Sequence, residues 1–346
     1  MRVLFIGGTG TISAAISRLV LEKGDELFLL NRGSRNQAIS GKAHEIKCDI
    51  NDFDGAKRAL RDMRFDVVAD FLTFTPDQVE RDFRLLQGNT RQYIAISSAS
   101  AYQKPLGSVP ITESTPLANP FWEYSRNKIA VEEMCLKLYR EQGFPVTIVR
   151  PSHTYDERSV PVGVHGNNGS YPVLRRIIDG KPIIIHGDGT SLWTITHNTD
   201  FAKGFYGLMG NAHAIGQAVG ITSDESVTWN QIHQFIADAL EKPLYSVHVA
   251  SPFLAKTKKY DLAGALIGDK AASVVFDMTK LKRLVPGFTA TVSAKQGIRA
   301  TVEYVTSHKE CQREDPEFDA WCDRVIAAQE KALEWAVGGQ YLPFMS

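Results

Sequence analysis

Apolar and polar positions along the chain fall into two regimes that meet near residue 150. In the first, short continuous apolar runs alternate with longer amphipathic stretches. The runs predict strands over Val3–Ile6, Leu27–Leu30, His44–Lys47, Val67–Phe71, Tyr93–Ser97 and Thr147–Val149. The stretches between them predict helices over Ser13–Lys23, Phe53–Met63, Asp77–Leu86 and Trp122–Gln142. Strands apolar at successive positions are buried on both faces. Six of them in this alternation predict an α/β fold, a doubly wound, Rossmann-like parallel sheet.

After Arg150-Pro151 the alternation stops. Residues 156–170 are rich in Gly, Asn and Pro and read as a loop able to serve as a lid. Helices are predicted at Tyr171–Asp179, Thr228–Leu240, Ser293–Thr306 and Glu317–Val337, and a short strand at Pro182–His186. Trp321 and Trp335 on the last helix read as packing anchors. The expected division is a dinucleotide-binding domain over 1–165, with segments near 190–222 and 296–310 returning to it. A smaller C-terminal substrate-binding part covers 166–189 and 223–295, and a helical extension covers 315–346.

Composition narrows the function. The 346 residues carry 39 basic and 39 acidic side chains, so no global field recruits nucleic acid or an anionic membrane. No apolar run approaches the roughly 20 residues of a membrane span. Because Met1–Gly7 leads straight into a strand and its turn, a cytoplasmic protein is expected. Cys48, Cys135, Cys311 and Cys322 show no Cys-x-x-Cys spacing, so neither zinc nor a disulfide framework is expected.

The first strand runs into Gly7-Gly8-Thr9-Gly10-Thr11-Ile12-Ser13. Gly7 permits the tight turn and Gly10 lets backbone approach a pyrophosphate. The helix start at Thr11 and Ile12 offers N–H groups and a positive dipole end. Ser13 is small enough for close helix–strand packing. At the end of the second strand, an acid usually holds the adenine ribose hydroxyl. Here Asn31 stands there, followed by Arg32 and Arg35. Arginine pairs with a 2′-phosphate where an acid would repel it, so NADP is expected over NAD. Asp49, beside Ile50 at the end of the third strand, is placed either to accept from the adenine amino group or to cap a turn.

Tyr124 and Lys128 lie four apart on a predicted helix and so share a face. An ammonium beside a phenol lowers its pKa from about 10 toward the range of a general base. With the glycine turn and Ile96-Ser97-Ser98-Ala99-Ser100-Ala101-Tyr102, Arg150-Pro151, Gly187-Asp188-Gly189 and Thr199-Asp200-Phe201-Ala202, the chain resembles the extended short-chain dehydrogenase/reductase family. The resemblance lies in its NAD-dependent epimerase/dehydratase branch and runs from Met1 to about Ala202. It implies that Ser98 hydrogen-bonds the reacting oxygen, that Tyr124 transfers the proton, and that Lys128 binds the nicotinamide ribose and holds the phenol's pKa down. It also implies cofactor contacts at Pro151 and His153, and a homodimer through Asp77–Leu86 and Trp122–Gln142.

The departures are informative. Ala99 and Ser100 stand where dehydratases of the family carry an Asp-Glu pair, and decarboxylating members place a glutamate at the position of Ser100. Epimerisation or carbonyl reduction therefore remains. Trp193 stands where typical members place an arginine for the nucleotide diphosphate, leaving Arg175, Arg176 or Lys181 as substitutes. His153 reads either as a hydrogen-bonded loop histidine or as a second acid/base. The expected protein is an NAD(P)-dependent oxidoreductase or epimerase of a sugar-like hydroxyl or carbonyl. The alternative is a non-catalytic nucleotide-sensing or RNA-binding member of the same fold.

Overall fold

The computed structural model describes residues 1–33, 39 and 42–338; Arg35 lies outside them. The chain forms two compact units. The first comprises Met1–Asp156, Leu192–Val227 and Ala272–Gly297, and the second Glu157–Ser191, Thr228–Ala271 and the chain from Ile298 onward. The expected boundaries differ from these: 272–297 belongs with the first unit, and 298–310 with the second.

The first unit is built on seven parallel strands: β1 (Arg2–Ile6), β2 (Glu26–Asn31), β3 (His44–Lys47), β4 (Val67–Asp70), β5 (Tyr93–Ile96), β6 (Val146–Pro151) and β7 (Ala218–Ile221). Their order across the sheet is β7-β6-β5-β4-β1-β2-β3. The order reverses direction on either side of β1, which opens a crevice at the carboxyl ends of the strands. Helices α1 (Thr11–Glu22), α2 (Phe53–Ala59), α3 (Pro76–Leu86) and α4 (Glu123–Gln142) lie between the strands in sequence.

The two-residue period of a strand divides the core. Val3 and Phe5 of β1 pack with Ala14, Ile16 and Val20 of α1 and with Phe201 and Phe205. Leu4 and Ile6 face the other way, onto Val79 and Leu85 of α3 and Val131, Cys135 and Leu138 of α4. Each such side chain, fully buried, contributes about 1.5–3 kcal/mol.

The six expected strands are all present, with ends shifted by a residue or two. The seventh, β7, had no sequence signal: it is four residues long and contains Gly220, a residue depleted in strands. Gly220 donates its N–H to Glu113 Oε1 at 2.9 Å, which caps this edge strand. The helix expected to reach Met63 stops at Ala59, and Asp62 turns the chain with φ of 62°.

Two further expectations are corrected in the second unit. Residues 156–170 lack regular secondary structure, but Val160, Val162 and Val164 are buried, so the segment is packed rather than a free lid. In the last helix (Pro316–Gly338), Trp321 is buried but Trp335 is 65% exposed, so among the described residues it is not a buried packing anchor. Among the described residues, no helix is long and apolar enough to cross a membrane, and no cluster of three or more His, Cys, Asp or Glu side chains is arranged to hold a metal.

Candidate functional site

The turn after β1 needs glycine for distinct reasons at successive positions. Gly7 and Gly8 have φ of +99° and +95°, a region side-chain-bearing residues rarely adopt. A Cβ on Gly8 would also come within 2.6 Å of Leu29 Cδ2. Gly10 differs. Its φ is −86°, and a Cβ there would meet only Ser13 Oγ, at an ordinary 3.6 Å. Among the described residues, neither backbone conformation nor a close neighbour requires a glycine at Gly10. Gly10 donates its N–H to Ser13 Oγ at 2.9 Å, which adds a capping role to the close packing expected of Ser13.

This turn forms one wall of a groove of about 520 Å³. Of the expected cofactor residues, Gly7, Gly10, Asn31, Arg32, Asp49 and Ile50 line it. Thr11 and Ile12 open α1, next to the lining residues Gly10 and Ser13. Lys128, Pro151 and His153 are not part of its wall. The sequence reading missed Asn51, Leu72, Phe74, Gln78 and Arg81, which complete it. Asn31 Oδ1 accepts from Gly33 N at 2.8 Å, while its Nδ2 is buried without a hydrogen-bond partner among the described residues. Both alternatives for Asp49 remain in view: it lines the groove, and its Oδ1 accepts from Asn51 N at 3.0 Å as a turn cap.

Arg81 is held by two fully buried carboxylates. Its Nη2 donates to Asp70 Oδ2 at 3.0 Å and to Asp82 Oδ1 at 2.7 Å. Tyr93 Oη donates to the other oxygen of Asp82 at 2.6 Å. Burial first, and Asp70 second, push the Asp82 carboxyl well above the usual range.

At the end of β5 a chain of hydroxyls reaches α4. Ser98 Oγ lies 2.9 Å from Ser100 Oγ and accepts from Ser100 N at 3.1 Å; Ser125 Oγ donates to Ser100 Oγ at 2.8 Å. Ser125 follows Tyr124 directly, so Ser98 and the first turn of α4 are brought together. The Tyr124 ring packs on Trp122 at 5.0 Å. Lys128 Nζ lies 5.8 Å from the centre of the Tyr124 ring and 4.5 Å from that of Phe74. It donates to the carbonyls of Thr73 at 2.6 Å and Ile96 at 2.7 Å, using two of its three N–H groups. Burial lowers its pKa to about 8.

One buried ion pair fixes this arrangement. Arg150 of β6 donates to Glu132 of α4 through Nε at 2.9 Å and Nη2 at 2.6 Å. Ser97 Oγ also donates to Glu132. Arg150 Nη1 reaches Tyr102 Oη at 3.1 Å. Arg150, bonded to both Glu132 and Tyr102, thus ties β6, the β5–α4 connection and α4 together; Glu132 carries no sequence signal of its own.

His153 carries no free choice of proton position at Nδ1. The Trp193 indole N–H, a donor only, donates to it at 3.0 Å. Trp193 is buried. The candidate substitute cations are also committed, within the second unit. Arg175 pairs with Asp179 at 2.9 Å. Arg176, 2% exposed at its side chain, donates to Pro182 O, Asp319 and Asp323, and Lys181 to Asp319.

Fold and groove together define a Rossmann-like α/β protein of the dinucleotide-binding type. The chain belongs to the NAD dependent epimerase/dehydratase family, whose model matches residues 3–221. It is 24% identical over 298 residues to 2′-dehydrokanamycin reductase of Streptomyces kanamyceticus, a match covering 83% of this chain and 80% of that one. It is 26% identical over 251 residues to the chloroplast stem-loop binding protein of 41 kDa b of Arabidopsis thaliana, with 69% and 63% covered. Among solved structures, UDP-glucuronic acid 4-epimerase from Bacillus cereus in complex with NAD matches with a TM-score of 0.71 at 18% identity, covering 90% of this chain and all of that one (100%). At that identity the likeness speaks to the fold.

Proposed function

We propose that the protein moves hydride between a nicotinamide cofactor and a sugar-like carbinol or ketone, as a reductase or an epimerase. The observation that carries this reading is the hydroxyl chain joining Ser98 to the first turn of α4, where Tyr124 and Lys128 share a face. Glycine backbone at Gly7 and Gly10 would hold the pyrophosphate, with Asn31 and Arg32 at the adenine ribose. The bound nicotinamide supplies or takes up the hydride. Tyr124 transfers the proton at its phenolic oxygen, and Ser98 polarises the substrate oxygen. The third N–H of Lys128 is available to the ribose, and its charge favours the phenolate.

NADP preference is supported by Arg32 on the groove wall and by the absence of an acid at Asn31. Calorimetric titration with both cofactors tests this, and tighter NAD binding would reverse the preference. Turnover follows from a panel of keto-sugars read by nicotinamide absorbance, and from NMR product analysis for an epimerase. An RNA-binding role is the second reading, favoured by the similarity to a stem-loop binding protein. Salt-dependent RNA binding without turnover would establish it instead.

A homodimer through α3 and α4 belongs to the same proposal. The apolar residues Val79, Leu85 and Leu86 of α3 are spent in the subunit core, and Asp77, Glu80 and Arg84 are left for a partner, making that contact polar. Solution mass at micromolar concentration checks it; a monomer near 38.3 kDa would end it.

A further inference from the structure

Between β4 and α3 the chain turns through residues 71–75, and the turn is held from both sides. On the β4 side, Asp70 Oδ1 accepts from Leu72 N at 2.6 Å. On the α3 side, Gln78 Oε1 accepts from Phe74 N at 2.6 Å and from Thr75 N at 3.1 Å. Thr73 lies between these clamps, buried, and its carbonyl accepts from Lys128 Nζ at 2.6 Å. Asp70 is itself fixed. It is fully buried, and its Oδ2 accepts from Arg81 Nη2 at 3.0 Å. Arg81 is held in turn by Asp82, through Nε and Nη2, and by Asn51 Oδ1, to which Nη1 donates at 3.1 Å. An asparagine or serine at position 70 would serve Leu72 N as well as an aspartate does. The turn thus accounts for an acceptor there but not for a buried charge, which is costly to desolvate. Lys128 stands on the next carbonyl of the same turn. Burial is the main influence on its ammonium, and among the charges that oppose burial Asp70 comes first, ahead of Cys135 and Glu132 of its own helix.

We propose that Asp70 is a positioning residue for Lys128: it sets the turn that offers the Thr73 carbonyl to the ammonium, and its buried carboxylate is that ammonium's counter-charge. This rests on the reading of Lys128 as the ribose-binding cation beside Tyr124. Asp70 acts through Lys128 and touches neither cofactor nor substrate. The groups facing Lys128 are Asp70, with Arg81 and Asp82 behind it, and Tyr124, Glu132 and Cys135 of α4. Glu132 is bound to Arg150, and burial first of all pushes the Cys135 thiol up.

The test needs no substrate. The full chain is titrated calorimetrically with whichever of NAD or NADP binds more tightly, at a series of pH values spanning about 8, where Lys128 loses its proton. The neutral amine keeps two N–H groups, both already on carbonyls, so affinity should fall as pH rises through that value. Lys128→Met should abolish the fall and Tyr124→Phe should keep it, which assigns it to Lys128. Asp70→Asn keeps an acceptor for Leu72 N and removes the charge. The fall should then begin about one pH unit lower. Asp70→Ser should shift it likewise, and Asp70→Glu, which retains the charge, should return it toward the wild-type position. An aspartate that merely supports the fold would instead weaken binding by one factor at every pH. Circular dichroism checks each fold, and if Asp70→Asn does not fold, Asp70→Ser decides. A fall that stays in place in the folded variant overturns the inference and leaves the cofactor reading standing. A wild type without the fall, or a fall that survives in Lys128→Met, overturns it together with the ribose contact of Lys128. Binding of neither dinucleotide overturns the cofactor reading as well.

Discussion

Charged side chains with several partners occur in both units, and they are arranged to different ends. In the second unit they face each other. Arg176 is enclosed by Asp319, Asp323 and the carbonyl of Pro182, with Lys181 on the same Asp319. His186 and His233 are also interior, and burial first of all lowers both to about 4; each still leaves one buried ring nitrogen, His186 Nδ1 and His233 Nε2, without a partner among the described residues. In the first unit, by contrast, some polar groups at the groove and beside Tyr124 leave capacity unspent. Among the described residues, Lys128 has one N–H beyond its two carbonyls, Asn31 has an unpartnered amide nitrogen, and no neighbour requires a glycine at Gly10. Between Arg176, which has a partner for each of its three nitrogens, and Lys128, which has two carbonyls for three N–H groups, the number of partners separates what cation type does not.

The strongest way to break this comparison is at Tyr124. Tyr124→Phe removes one oxygen and keeps the ring against Trp122, so folding and cofactor affinity should hold within a few fold. Turnover should fall about 10²–10⁴-fold. The assay is initial rate on whichever keto-sugar the panel identifies, with dinucleotide titration as control. Full activity in the variant would show that the hydroxyl cluster at α4 is structural, like the charges of the second unit.

Arg176→Met probes the other side. It removes hydrogen bonds to two carboxylates and a carbonyl from a side chain 2% exposed. A stability loss of about 2–3 kcal/mol is expected, tempered because Asp319 and Asp323 are partly exposed and can be rehydrated. Denaturant unfolding measures it. Cofactor affinity, read by titration at low denaturant, should not change. A variant as stable as wild type, or one that loses the dinucleotide, would mean Arg176 is not a purely structural anchor of the second unit.

What could be read from the sequence follows the reach of each interaction. The glycine turn, the Tyr124–Lys128 face and the serine run are set by neighbours within a few residues, so their spacing carried them. Asn51 with Arg81, and Glu132 with Arg150, are joined only by the sheet bringing distant segments together, and no local pattern marks them. Trp335 shows the same limit from the other side. It lies roughly four helical turns beyond Trp321 on nearly the same face, so periodicity groups the two. Only the fold shows that the packing surface ends before Trp335 is reached. Trp193 was legible as a departure, but its bond to His153 was not, since the two are 40 residues apart and are brought near by the parallel pairing of His153 with Ile195, two residues beyond Trp193.

The smallest expected effect is also the sharpest test of whether the groove is built for a ligand. Gly8 and Gly10 are two residues apart in one turn, yet their demands differ. Gly8→Ala forces a side chain to φ of +95° and into Leu29, so it should destabilise the chain. Gly10→Ala meets neither obstacle, because φ is −86° and the nearest neighbour is at ordinary contact distance. By limiting the unfolded chain it should leave stability unchanged or raise it by about 0.4–1 kcal/mol. Its methyl would nonetheless stand where a pyrophosphate must approach the backbone. Dinucleotide affinity should therefore drop by about tenfold, equivalent to about 1.4 kcal/mol, in a protein that melts no lower than wild type. Weakened binding together with lowered stability would place Gly10 with Gly8 among the residues the fold itself requires. Undiminished binding would move the pyrophosphate away from this turn.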